Sequence, residues 1–120
     1  MSLESEVYAA LNGDASFKAA VGTIYRIKAI DNASAPVAVF QTISEIPELT
    51  LTGVTSTERS VIQLDLYDAK ASLAKSLCRD GVAALIASSL VIDEVTYRSL
   101  GKEVETDLFR YMADISIFYN

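Results

Sequence analysis

From Tyr111 to Tyr119 the chain keeps a strict period of two: Tyr111, Ala113, Ile115, Ile117 and Tyr119 form one row, and Arg110, Met112, Asp114, Ser116 and Phe118 the other. Successive side chains of a strand point to opposite faces, so such a run has one face for a core and one turned away from it. Arg59 to Tyr67 repeats the pattern, with Ile62, Leu64 and Leu66 against Gln63 and Asp65. Between these runs the period changes to that of a helix. Leu73, Leu77, Ala84 and Leu85 form a stripe from Ala69 to about Ala87, with Ser72, Lys75 and Arg79 opposite and Asp68 in position to cap. Gly81 falls in that stripe, where it permits close approach to the sheet at about 1 kcal/mol of helix propensity. Two half-buried strands bracketing an amphipathic helix predict a helix laid on an antiparallel sheet.

The other elements fit this frame. Leu3, Val7, Ala10 and Leu11 share a helical face behind Ser2 as cap, and Asn12-Gly13 ends that helix. Asp14 opens a short helix, Ala15 to Val21, which Gly22 ends. Strands are predicted over Ile24 to Ile30, Pro36 to Ser44 and Leu90 to Arg98, with Ser99 to Asp107 as a hairpin loop. The fold class is therefore α+β: an antiparallel sheet of about five strands, a long helix on one face and an N-terminal helix, in the order α-α-β-β-β-α-β-β. With 120 residues and no linker, one domain over 1–120 is expected.

The residue inventory excludes most catalysis. The chain has no His, so the commonest general base is missing and Ser-His-Asp and Cys-His arrangements are impossible. Cys78, the single cysteine, falls beside the helical stripe and reads as a small core residue. Gly13, Gly22, Gly53, Gly81 and Gly101 are too dispersed to cradle a phosphate. No catalytic residue, cofactor or metal site is expected. Asp65 and Asp114 are the exception to weigh: mid-strand on the polar rows, they form either an acid pair or metal site, or a solvated face or channel wall. Glu103, Glu105 and Asp107 read as solvated loop charges. A net charge of −6, with no Lys/Arg cluster, argues against holding DNA or anionic lipid. The start of the chain, with Glu4 and Glu6, does not read as a signal peptide, and no apolar run approaches the roughly 20 residues of a membrane span.

Residues Glu45 to Glu58 contain Pro47, Gly53 and a run of threonines and serines, and read as a long loop. Leu49, Leu51 and Val54 are apolar residues out of place there. They either fold back as a lid on the sheet or contact another subunit or a tube.

The order of elements and several segments resemble a known family. The segments are Leu3 to Leu11; Gly22-Thr23-Ile24-Tyr25; Pro36 through Ser44; Leu51-Thr52-Gly53; and Arg59 leading into Val61 through Tyr67. The alanine-rich helix with Ala74, Leu77, Val82 and Leu85 completes them. Together they resemble the tail-completion, or tail-terminator, proteins of long-tailed phages and prophages, over almost the whole chain and most loosely from Ser99 to Asp107. The resemblance implies a structural virion protein without catalytic residues or cofactors. It implies a self-associated ring, typically hexameric, that caps the tail tube protein and meets the head's connector or neck protein. DNA would pass through without specific binding, and the ring would assemble in the bacterial host cytoplasm before residing at the head–tail junction, with no membrane contact. Asp65, Asp114, Glu103 and Glu105 are then candidates for an acidic lumen. Another ring-forming neck or tail-tube protein remains open, as does a small cytoplasmic oligomeric enzyme or ligand-binding domain with Asp65 and Asp114 in its site.

Overall fold

A computed structural model describes residues 2–28, 34–50 and 53–119, with side chains described outside 47–57. The elements are α1 (Leu3–Gly13), α2 (Ala15–Val21), β1 (Ile24–Arg26), β2 (Val37–Thr50), β3 (Gly53–Asp68), α3 (Ala71–Ile86), β4 (Val91–Lys102) and β5 (Phe109–Tyr119). They form the expected α+β architecture, a single five-stranded sheet in the order β1-β2-β3-β5-β4.

The caps act as the sequence implies. The Ser2 hydroxyl accepts from the Ser5 amide at 3.2 Å, and Asp14 Oδ1 accepts from the Phe17 amide at 3.0 Å, so each helix starts with an orphan donor satisfied. Gly22 closes α2 at φ +70°, a conformation that costs a side-chain-bearing residue strain. All three helices pack on the same sheet face. Leu3, Val7 and Leu11 of α1 and Phe17 and Val21 of α2 meet the Ile62–Leu64–Leu66 and Ala113–Ile115–Ile117 rows. Burying each leucine contributes about 2 kcal/mol. Gly81 sits against that core so closely that a Cβ there would lie 2.8 Å from Leu64 Cδ2 and 3.0 Å from the Phe17 ring. The glycine therefore sets how near α3 approaches both α2 and β3.

Several features differ from the sequence reading. First, β1 runs parallel to β2, pairing Ile24 with Ala38 and Arg26 with Phe40, so the sheet is mixed. Pairing direction depends on how the 27–36 connection returns, which local pattern does not encode. Second, Leu73 is 40% exposed. The stripe of α3 is centred on Ala74, Cys78, Gly81 and Leu85, and Leu73 lies on its flank in the first turn. Third, α3 starts at Ala71 and its N-cap is Lys70, while the Asp68 carboxylate instead accepts from the Lys70 amide at 2.9 Å. Fourth, Glu45 to Glu58 is not a loop. β2 and β3 continue through it as a ribbon, pairing Leu49 with Val54 and Thr50 with Gly53. Pro47 is accommodated beside a register shift between Pro47 and Leu49, where a missing amide hydrogen is tolerated. β4 also runs on to Lys102, shortening the predicted hairpin loop.

Candidate assembly surfaces

The sheet face turned away from the helices carries a ladder of charges. Arg110 reaches from β5 to β3, where its Nε donates to Asp65 Oδ1 at 2.9 Å and its guanidinium lies 5.7 Å from the Tyr67 ring. Gln63 Nε2 donates to the other Asp65 oxygen at 2.8 Å. With both oxygens satisfied, Asp65 is only 3% exposed, so it is not the solvated carboxylate its alternation suggests. The hydrogen bond to Asp65 raises the pKa of Arg110 further, and burial raises that of Tyr67, with Asp65 adding to the shift. One position along, Asp114 Oδ2 accepts from Arg98 at 3.1 Å, while its Oδ1 is enclosed with no hydrogen-bond partner among the described residues. Arg59 completes the ladder: its Nε donates to Ser116 Oγ at 2.7 Å, and its guanidinium meets Asp93 at 3.3 Å and Glu94 at 3.7 Å.

Asp65 and Asp114 thus share a face on neighbouring strands, with Gln63 directly opposite Asp114. They do not join as an acid pair. Each carboxylate is tied to its own arginine, so the face is close to neutral by pairing and not by absence of charge. The arginines that accomplish this, Arg98 and Arg110, were not singled out from the sequence as the carboxylates' partners. Their partners are distant in the chain, and only strand register brings them together.

The second surface is the ribbon formed by β2 and β3 beyond the last rung with β5, the pairing of Glu58 with Tyr119. From there on, among the described residues, its strands pair only with each other, forming an arm that extends the sheet in a molecule of 51 × 28 × 23 Å. Of the three apolar positions singled out there, Leu49 and Val54 face each other across the arm. Leu51 lies outside the described residues. At the arm's base Ile43 and Ile46 are exposed.

The third surface is the turn joining β4 to β5, at the opposite end. It is closed by the Glu103 amide to the Leu108 carbonyl and the Asp107 amide to the Glu103 carbonyl, both at 2.9 Å, and by a Lys102–Asp107 ion pair at 3.0 Å. Glu103 is half-buried and Glu105 exposed. Between them Val104 is 98% exposed, an apolar side chain at a tip that the sequence reading passed over.

Cys78 lies in the core, its thiol 3.9 Å from the Leu64 carbonyl. Burial, with a smaller contribution from Asp65, pushes its pKa up to about 12. A thiol held in this way is a packing group, not a nucleophile.

The subunit is thus a small α+β domain with one helix-covered face, one charge-paired face and a projecting arm. The sequence model described as Tail completion protein gp17 matches residues 5–120, and the chain belongs to that family; it is a structural protein of the phage tail. A solved structure titled "Virion of native gene transfer agent (GTA) particle" contains a chain with the same fold. The TM-score is 0.63 at 21% identity, covering 98% of this chain and 93% of that one. No curated protein sequence matches the chain.

Proposed function

We propose that this chain, as one domain over 1–120, assembles with itself into a ring, hexameric as in the resemblance drawn above, that caps the tail tube and receives the head's connector. Assembly would take place in the host cytoplasm and the finished ring would sit at the head–tail junction. The observation that carries this reading is the two-ended subunit: an arm at one end of the long axis and an acidic turn tipped by Val104 at the other. A ring joining two different structures needs two different ends.

The arm positions Leu49, Leu51 and Val54 would make subunit or tube contacts. The lumen would be formed by the charge-paired sheet face and the β4–β5 turn, with Asp114, Glu103 and Glu105 at its surface and Asp65 just beneath it. Asp65 and Asp114 contribute to it by occupying Arg110 and Arg98, which would otherwise be free to hold phosphates; Glu103 and Glu105 contribute negative charge. A wall without free cations releases no counterions to passing DNA and does not retain it.

Added to polymerising tail-tube subunits, the protein should arrest elongation at a few copies per tube end. The double variant Leu49→Ser, Leu51→Ser should fold normally and lose that effect. Tubes that elongate unchanged in the presence of the wild-type chain would rule the reading out.

A further inference from the structure

The sheet ends in two open edges. β4 pairs with β5 on one side and, among the described residues, with nothing on the other. On the far side of the sheet β1 covers β2 only at Ala38, Val39 and Phe40, which leaves the outer edge of β2 uncovered from Gln41 to Thr50. An uncovered edge is a row of unpaired amides and carbonyls, ready for another strand. β4 is interrupted by register shifts at Ile92/Glu94 and Ser99/Gly101, but Glu94 to Ser99 pairs without a break and keeps a regular edge.

The two edges fit each other in direction. β2 is antiparallel to β3, β3 to β5 and β5 to β4, so β4 runs opposite to β2. When the same subunit is repeated side by side with its helix face kept outward, β4 of one copy meets β2 of the next in antiparallel orientation. They also fit in position, given an offset. Tyr97, Ala113, Leu64 and Phe40 form one row across the sheet, so a neighbour placed level would bring its β1 against β4. Sliding the neighbour by four rungs sets its Gln41 opposite Gly101, its Glu45 opposite Tyr97 and its Thr50 opposite Ile92, which clears β1. Strands closed into a ring tilt by about 40°, and over four strands that tilt produces an offset of roughly five residues. An even offset also keeps each side chain on its own face.

We propose that β4 pairs with the uncovered edge of β2, Gln41–Thr50, of the next copy, so that one sheet runs unbroken round the ring. This deepens the ring reading and rests on it. Charge supports the register. Glu45 lies opposite Ser60, on the helix side of the sheet, is exposed, and takes part in no ion pair among the described residues. Arg79 of α3 lies 4.2 Å over the Tyr97 ring on that same side and is likewise free of ion pairs among the described residues. The four-rung offset brings the two together. The contact joins different surfaces of the two copies, as a ring requires, and leaves every charge-paired face turned to the lumen.

The test is oxidative cross-linking of the full chain carrying Ile46→Cys with Thr96→Cys, run on the purified protein and on capped tubes. Both positions are exposed on the charge-paired face, and the offset sets them directly opposite across the junction, at a separation a disulfide spans. Within one copy they sit on opposite outer strands, about 14 Å apart, too far to bridge. Cys78 is buried and does not compete. The expected result is a ladder of covalent oligomers. Gln41→Cys with Thr96→Cys, which marks the level arrangement, should give at least tenfold less. Should a cysteine pair fail to fold by circular dichroism, hydrogen exchange of the wild type decides: amides of Glu94 to Ser99 and of Gln41 to Ile46 should slow at least tenfold on assembly. A ladder from the Gln41 pair instead, no ladder from either pair, or unchanged exchange at both edges, in a chain that still self-associates, overturns the inference and leaves the ring reading standing. A wild-type chain that neither self-associates nor arrests tubes overturns both.

Discussion

Asp65 lies on the face away from the helices, yet almost none of it reaches solvent. Its place on the polar row of β3 was legible from the period of two. Its burial was not, because alternation assigns faces without saying what lies over them. Removing Arg110 leaves a buried carboxylate held only by Gln63, so Arg110→Met should cost about 2–3 kcal/mol, somewhat below fully buried pairs because Arg110 keeps some solvent contact. Asp65→Leu with Arg110→Met should recover most of that loss in urea denaturation, since it strands no charge. A double variant as unstable as the single would contradict the pairing. Cys78 supplies a second residue-scale test. Its thiol has an ordinary value of 9.0, raised to about 12 in the fold. Below pH 9 folded and unfolded chains both hold the proton; between 9 and 12 only the unfolded chain releases it, so stability falls as pH rises through that window. The slope attributable to this group approaches about 1.4 kcal/mol per pH unit. Tyr67 and Tyr97, both raised by burial, act in the same direction. Unfolding measured at pH 8 and pH 10 should show a shallower decline for Cys78→Ala than for the wild type; equal slopes would mean that the thiol is solvated.

At the scale of elements, local chemistry set the helix ends. Ser2, Asp14 and Gly22 act within one turn of themselves, and α1 and α2 fall where those residues put them. β3 and β5 were legible because each buries the middle of one row completely, Ile62, Leu64 and Leu66 on β3 and Ala113, Ile115 and Ile117 on β5. The arm was misread because β3 pairs with β5 only as far as Glu58, and the serines, threonines and proline beyond that point lack the apolar alternation of a sheet strand and read as loop. The parallel pairing of β1 and the inter-strand ion pairs were illegible for a related reason: both depend on which strands become neighbours. The helix stripe was legible except at its flank, and that distinction can be measured. Leu77 is buried at 5% exposure and Leu73 is at 40%. Leu77→Asp should unfold the chain by placing a charge in the core, whereas Leu73→Asp should shift the melting temperature by only a few degrees. Comparable losses from the two would put the stripe in the wrong place.

At the scale of the whole molecule, the helix layer supplies the stability, the opposite face neutralises its own charge, and the two ends of the long axis differ in chemistry. The chain belongs to a family of tail completion proteins, and the proposed ring is the arrangement in which the arm and the paired arginines both find a use. Because the ends differ, binding should be polar: one end of a tube should be recognised and the other ignored. Electron microscopy of the purified chain mixed with uncapped tail tubes tests this most directly. The account predicts a ring of this protein at a single end of each tube, its arms engaged between neighbouring subunits. Bare tube ends, or copies scattered along the tube wall, would contradict it.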